Sequence, residues 1–235
     1  MTSKFNRPSL IAWFFFLSAM VTTLGLGTWQ VQRLAWKEGL IARIEAAKHE
    51  APLTQMPQTE AEVERLNFYP VAISGHWVAG TEFHITPRFY GGTLGYFIIA
   101  PLMLDDGRTL LVNRGWVPVK KKDPATRPET AVHGRATVHG MIRYGNERSW
   151  FTPANNPAGN LWFGRDIDAM AASAKLPNPV PAMVDVVGVQ DANQLPVPSN
   201  GSIRLRNDHL SYIITWYGIA VGILLIFILS HRRKG

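Results

Sequence analysis

Two short stretches of this 235-residue chain gather side chains that can do more than pack. In the first, Gly25, Trp29, Arg33 and Trp36 are spaced four, four and three apart, so on a helix they share a face. In the second, His209, Tyr212, Trp216 and Ile219 or Ala220 share a face in the same way. Each set lies at or beside the end of a long uncharged run. Two helices crossing a membrane together would bring an imidazole, a guanidinium and several aromatic rings to one level. Imidazole ligates haem iron, aromatic rings pack against a macrocycle, and an arginine neutralises carboxylates such as propionates. A plainer reading fits the same residues: a histidine at a helix start caps it, and Trp with Arg anchors a helix at the membrane surface. Spacing alone leaves both open.

Other chemistry finds little footing. The sequence has no G-x-S-x-G, no H-E-x-x-H and no phosphate-cradling glycine loop. Asp105 and Asp106 are adjacent in a turn, where their side chains point apart into solvent. His76, His84, His133 and His139 lie in or beside strands at no ligand-like spacing and read as surface or half-buried structural residues. Lys120, Lys121 and Lys122 form a solvated basic run, with contact to anionic headgroups or an acidic partner as the lesser reading. There is no cysteine, so neither a disulfide framework nor a thiolate metal site is available. The seven methionines are scattered, which gives copper binding weak support.

The elements that must position the two sets are membrane spans. Residues 9–29 and 212–229 carry no charge, and at about 1.5 Å per residue they reach roughly 27–31 Å, the thickness of a bilayer's hydrocarbon core. Neither shows the polar face of a helix buried in a soluble domain. Trp29, Tyr212, Trp216 and Tyr217 suit an interfacial aromatic belt. A signal peptide is the competing reading of the first run, but the run exceeds a typical h-region and no clear A-x-A site precedes Trp29.

Charge sets orientation. The net +7 resembles a nucleic-acid binder until its location is read. Lys4, Arg7, Arg232, Arg233 and Lys234 flank the spans, and without them the remainder carries +2. The positive-inside rule then places both termini in the cytoplasm, or in the matrix of a mitochondrion, and the partner surface is lipid rather than nucleic acid. The short N-terminal flank leaves little room for a transit peptide, so the expected setting is a bacterial inner membrane. The organisation reads as a cytoplasmic N-terminus (1–8), a first span (9–29), a periplasmic mainly β domain (30–208, with a helical extension over about 30–50), a second span (209–230) and a cytoplasmic C-terminus (231–235).

The central region is long enough for one domain with a proper core. Helical spacing continues past Trp29 toward Pro52, and short helices are expected near 58–66 and 167–174, the latter after an Asp166 cap. Period-two alternation or short apolar runs predict strands at 69–78, 82–89, 96–104, 109–117, 136–143, 161–165, 183–189 and 203–206. Asp106-Gly107 marks a hairpin turn. The fold class is a membrane protein with two transmembrane helices flanking a mainly β, barrel-like α+β domain.

Three segments carry a family resemblance. Residues Leu26 to Lys37 (LGTWQVQRLAWK) resemble the LGxWQxxRxxWK signature of the Surfeit-locus (Surf) family of cytochrome c oxidase assembly factors. Val112 to Pro118 (VNRGWVP) resembles a second family segment, preceded by Gly95-Tyr96 and Pro101-Leu102. Asn207 to Tyr212, followed by Thr215, Trp216 and Tyr217, resembles the family's entry to its second membrane helix. The resemblance implies a non-enzymatic, chaperone-like factor that binds haem a as transient cargo and assists its insertion into subunit I of an aa3-type oxidase. It also implies haem a synthase and oxidase subunit I as partners. By carry-over His209 is the candidate ligand to haem iron, with Arg33 near a propionate and Trp29, Trp36, Trp216 and Tyr212 around it. Asp208 beside the histidine could orient the imidazole. Asn113, Arg114, Gly115 and Trp116 match a family motif and read equally well as a structural strand-end element. The alternative function is a cofactor-free, membrane-anchored scaffold for oxidase intermediates.

Overall fold

The computed structural model describes residues 7–145, 150–191, 193–201 and 208–232. The chain divides into two compact units, one formed by Met1–Arg43 with Arg204–Gly235 and the other by Ile44–Ile203.

The first unit is a helix pair. Helix α1 (Leu10–Ala47) begins where the Ser9 hydroxyl accepts from Ala12 N at 3.1 Å, and no proline intervenes to break it before Pro52. It is long and apolar enough to cross a membrane, as is the terminal helix His209–Ser230. The apolar side chains of both are largely exposed, as a lipid-facing surface requires. The two pack antiparallel. Trp13 and Phe16 meet Phe227, with ring centroids 4.9 and 4.1 Å apart. Further along, Gly27 lies against the Tyr217 ring so closely that a Cβ there would sit 3.0 Å from it. Small residues at such a crossing let backbones approach where no hydrophobic effect drives association.

The second unit is built on a six-stranded sheet. Its strands are β1 (Pro70–Trp77), β2 (Phe83–Tyr90), β3 (Thr93–Leu104), β4 (Thr109–Pro118), β5 (Arg135–Tyr144) and β6 (Pro179–Val186). The order is β1-β5-β6-β4-β3-β2, and β1 also pairs with β3 through Gly75–Leu104 to Trp77–Leu102, which closes a five-stranded ring. All neighbours are antiparallel except β4 and β6. The period-two rule then sorts the side chains. Val71, Ile73, Leu102, Leu110, Val112, Val138, Ile142 and Val184 point into the ring, one set from each of its strands. Ile99, Leu111 and Met183 point the other way, under Trp162 and the short helix Ile167–Ser173 (here α3). Because β4 is buried on both faces, its Leu110-Leu111-Val112 stretch is apolar throughout rather than alternating. The short helix Glu60–Arg65 (α2) contributes Val63 to the ring core and opens with a Thr59–Glu62 capping box. The terminal helix is accordingly α4.

Two strand expectations change. Residues 161–165 form no strand: Trp162 makes only an isolated bridge to Ile85 and is almost fully buried. The strand expected at 183–189 begins earlier, at Pro179, and ends at Val186. Its two prolines sit at its start, where the only ladder partner is Thr109. The strand expected at 203–206 lies outside the described residues. The Asp106-Gly107 turn is as expected, with Gly107 at φ 82° and Asp105 paired to Arg135 at 2.6 Å.

Candidate functional site

At the start of α4, His209 Nδ1 donates to Gln30 Oε1 of α1 at 2.6 Å. An amide oxygen only accepts, so Nδ1 carries the hydrogen, and in a neutral imidazole the lone pair is then on Nε2. No described residue engages that nitrogen. Gln30 is buried to 8 % exposure, so the imidazole's orientation is fixed by a partner that is itself held in place. Two residues before Gln30, Thr28 Oγ1 lies 3.3 Å from the Tyr217 hydroxyl. The imidazole's partner is thus an amide, not the Asp208 carboxylate.

The pairing face of α1 runs through Thr23, Gly27 and Gln30, which are buried. The set Gly25, Trp29, Arg33 and Trp36 lies on a neighbouring face. Gly25 has open space around it, and Trp29 and Trp36 are 53 % and 51 % exposed. Arg33 stacks over the Trp36 ring at 4.3 Å, so these two are brought together. On α4, Trp216 is half-buried and Tyr212 is exposed. The structure therefore joins His209 to a residue the spacing argument did not single out. The signal was present: Gln30 falls three residues after Gly27 and seven after Thr23, a stripe of small and polar residues in an apolar helix.

The β unit holds its own polar cluster. Buried Arg127 donates to Glu82 Oε1, to Thr130 Oγ1 at 2.9 Å and to the Lys121 carbonyl at 2.8 Å. His84 Nε2 lies 2.6 Å from the same Glu82 oxygen, and His84 Nδ1 is buried without a hydrogen-bond partner. Burial raises the Glu82 pKa, but hydrogen bonds from His84 and Arg127, with the charge of Arg127, outweigh it and hold the carboxyl below its ordinary value. Among the described residues every partner here is internal, which makes this an ion-pair network that ties the 121–130 loop to β2. The Lys120–Lys122 run lies at the edge of that loop, with Lys122 5.3 Å from the Tyr96 ring. Among the described residues no three His, Asp or Glu side chains converge as a metal site.

The VNRGW segment proves to be a β-bulge. Ile98 pairs with Gly115 but Ile99 pairs with Asn113, so Arg114 is the extra residue. Asn113 donates to Asp185 at 2.9 Å and accepts from Gly115 N at 3.1 Å. Gly115 has φ 130° and lies where a Cβ would be 2.2 Å from the Val197 carbonyl, so no other residue fits. Trp116 N bonds to the Val197 carbonyl, Val197 N bonds back to the Trp116 carbonyl, and the indole donates to Arg88 O at 3.2 Å.

Comparison with known proteins bears on what these helices are for. The profile of the SURF1 family matches residues 17–221, which takes in most of both helices and the whole β unit. The chain belongs to the SURF1 family. It is 37 % identical to Surfeit locus protein 1 of Rattus norvegicus over 99 % of this chain and 79 % of the relative. It is 35 % identical to Surfeit locus protein 1 of Homo sapiens, over 93 % and 76 %. A SURF1-like protein of Monosiga brevicollis is 33 % identical over 93 % and 87 %. None of these relatives is bacterial, so the expectation of a bacterial family member is not borne out. SURF1 membership agrees with all three motif segments, since each falls within the matched span.

Proposed function

We propose that this chain is a non-enzymatic assembly factor for an aa3-type cytochrome c oxidase that holds haem a and assists its insertion into subunit I. One observation carries the reading: the Gln30 clasp fixes His209 in the tautomer whose Nε2 is a ligand nitrogen, at the end of a membrane-length helix. The surroundings fit an amphipathic macrocycle. Exposed Trp29, Trp36 and Tyr212 offer apolar, ring-shaped surface, and Arg33 supplies a cation for a propionate. Haem a iron would be held by His209, and the residues' work is to bind and orient the cargo, not to transform it. Haem a synthase would supply the cargo and oxidase subunit I would receive it. The chain would lie in an inner membrane with both termini on the cytoplasmic or matrix side and the β unit on the opposite side, by its basic flanks.

Protein purified from cells that make haem a should carry a haem a absorption band, and His209→Ala should remove most of it. An unchanged band in that variant rejects His209 as ligand. A cofactor-free scaffold is favoured by a single feature: the His209–Gln30 bond is by itself an interhelical clasp. That reading requires co-purification of oxidase subunits without stoichiometric haem.

A further inference from the structure

The bulge in β4 places a charged side chain that no described residue answers with a hydrogen bond or an ion pair. Arg114 is held between two clamped neighbours, Asn113 through Asp185 and Trp116 through Val197. Its own guanidinium makes no hydrogen bond and no ion pair with any described residue. Its nearest ring is Trp77, whose centroid lies 5.9 Å from Cζ. The one carboxylate that attracts it is Glu82, and the Glu82 oxygen that forms contacts is committed to Arg127 and His84. Desolvation disfavours the charged guanidinium here, followed by opposing contributions from Glu82 and Arg127. A half-buried, unpaired cation is costly, and a bulge is an expensive way to keep one unless a ligand completes it.

Arg114 opens onto a cavity of about 570 Å³. Val132, Val186, Val187, Leu195 and Pro198 form an apolar wall with Trp77 on one side, and Thr137, His139 and Gln194 join Arg114 as the polar lining. Such a volume, with a few polar groups set beside an apolar wall, is the usual form of a small-molecule pocket. No lysine lines it and no second arginine does, so it lacks the charge for a phosphate dianion. A guanidinium matches a carboxylate in a bidentate geometry.

We infer that this cavity binds a small amphiphilic carboxylate, its carboxyl group on Arg114 and its apolar body against Trp77 and the valine–proline wall. The site is confined to the β unit and is independent of the haem reading.

Hexanoate is the probe, measured by equilibrium dialysis against the full chain in nanodiscs of neutral lipid, with empty nanodiscs as background. Saturable binding at one per chain is expected for hexanoate and none for hexanamide, which has the same body without the charge. Arg114→Gln should weaken hexanoate at least tenfold with the thermal unfolding of the β unit unchanged. Gln194→Trp, an exposed substitution at the cavity wall, should also weaken it and covers the case in which the first variant misfolds. The inference is overturned if wild-type protein does not bind hexanoate, if hexanamide binds equally, or if both variants bind like wild type. It is also overturned if inorganic phosphate displaces hexanoate at equal concentration, which would mark a bare anion site.

Discussion

His84 and His209 are the same side chain put to opposite uses. In the β unit, His84 is buried, gives one nitrogen to the ionised Glu82 and has the other sealed away from any partner. In the helix pair, His209 gives one nitrogen to a neutral amide and leaves the other uncommitted at a half-exposed helix end. A carboxylate and an arginine around an imidazole make a closed electrostatic knot. An amide holds the ring without adding charge, which suits a residue whose free nitrogen must meet something else. The β unit therefore spends its buried polar groups on its own stability, and the helix pair keeps its histidine available.

The contrast can be broken most strongly at Arg127. Arg127→Met leaves the half-buried Glu82 without its main cation and should destabilise the β unit by about 3 kcal/mol. Urea unfolding followed by the fluorescence of the buried Trp162 measures this, and a loss under about 1 kcal/mol would show the network to be peripheral. Next comes Gly115→Ala, which meets both the positive φ and the Val197 carbonyl. It should cost about 2 kcal/mol or more in the same assay. A normal midpoint would mean the bulge can relax.

Acid gives a smaller effect with a defined sign. The folded pKa of Glu82 lies below its ordinary value near 4.5, so its contribution is fully present above that value. That stability is lost as pH falls through the lowered folded pKa. Glu82→Gln should remove this part of the acid dependence, and an unchanged stability–pH profile between pH 5 and 2 would sever the link. The smallest stability effect belongs to Gln30→Leu, since an interhelical hydrogen bond in a membrane is worth about 0.6 kcal/mol on average. Helix pairing should survive this change while the orientation of His209 does not, so the variant separates packing from ligand presentation.

The sequence disclosed the two regions unequally. The spans and the first five strands were legible because their patterns are local: uncharged length in the helices, alternation or apolar runs in the strands. The start of β6 was hidden by Pro179 and Pro181, which belong to a strand only because its first residues have few ladder partners. Trp162 lay in a run that looked like a strand, yet its burial under the sheet depends on a long-range bridge that no spacing encodes. The histidine at the head of α4 was evident, but its partner was not. Reading the first helix by its aromatic and charged residues selected the face of Trp29, Arg33 and Trp36. At this level the helices meet instead along Thr23, Gly27 and Gln30, where small and polar residues let the backbones approach. Arg114 was visible as part of a motif, and only the bulge shows why it stands apart.

The central claim is that the Gln30-oriented nitrogen of His209 receives haem a. The most direct test is the absorption spectrum of three proteins purified from cells making haem a: wild type, His209→Ala and Gln30→Leu. A haem a band in wild type, nearly absent in His209→Ala and reduced in Gln30→Leu with equal recovery of folded protein, is the predicted result. Equal haem a content in all three would contradict the account and leave the His209–Gln30 pair as a clasp between two helices.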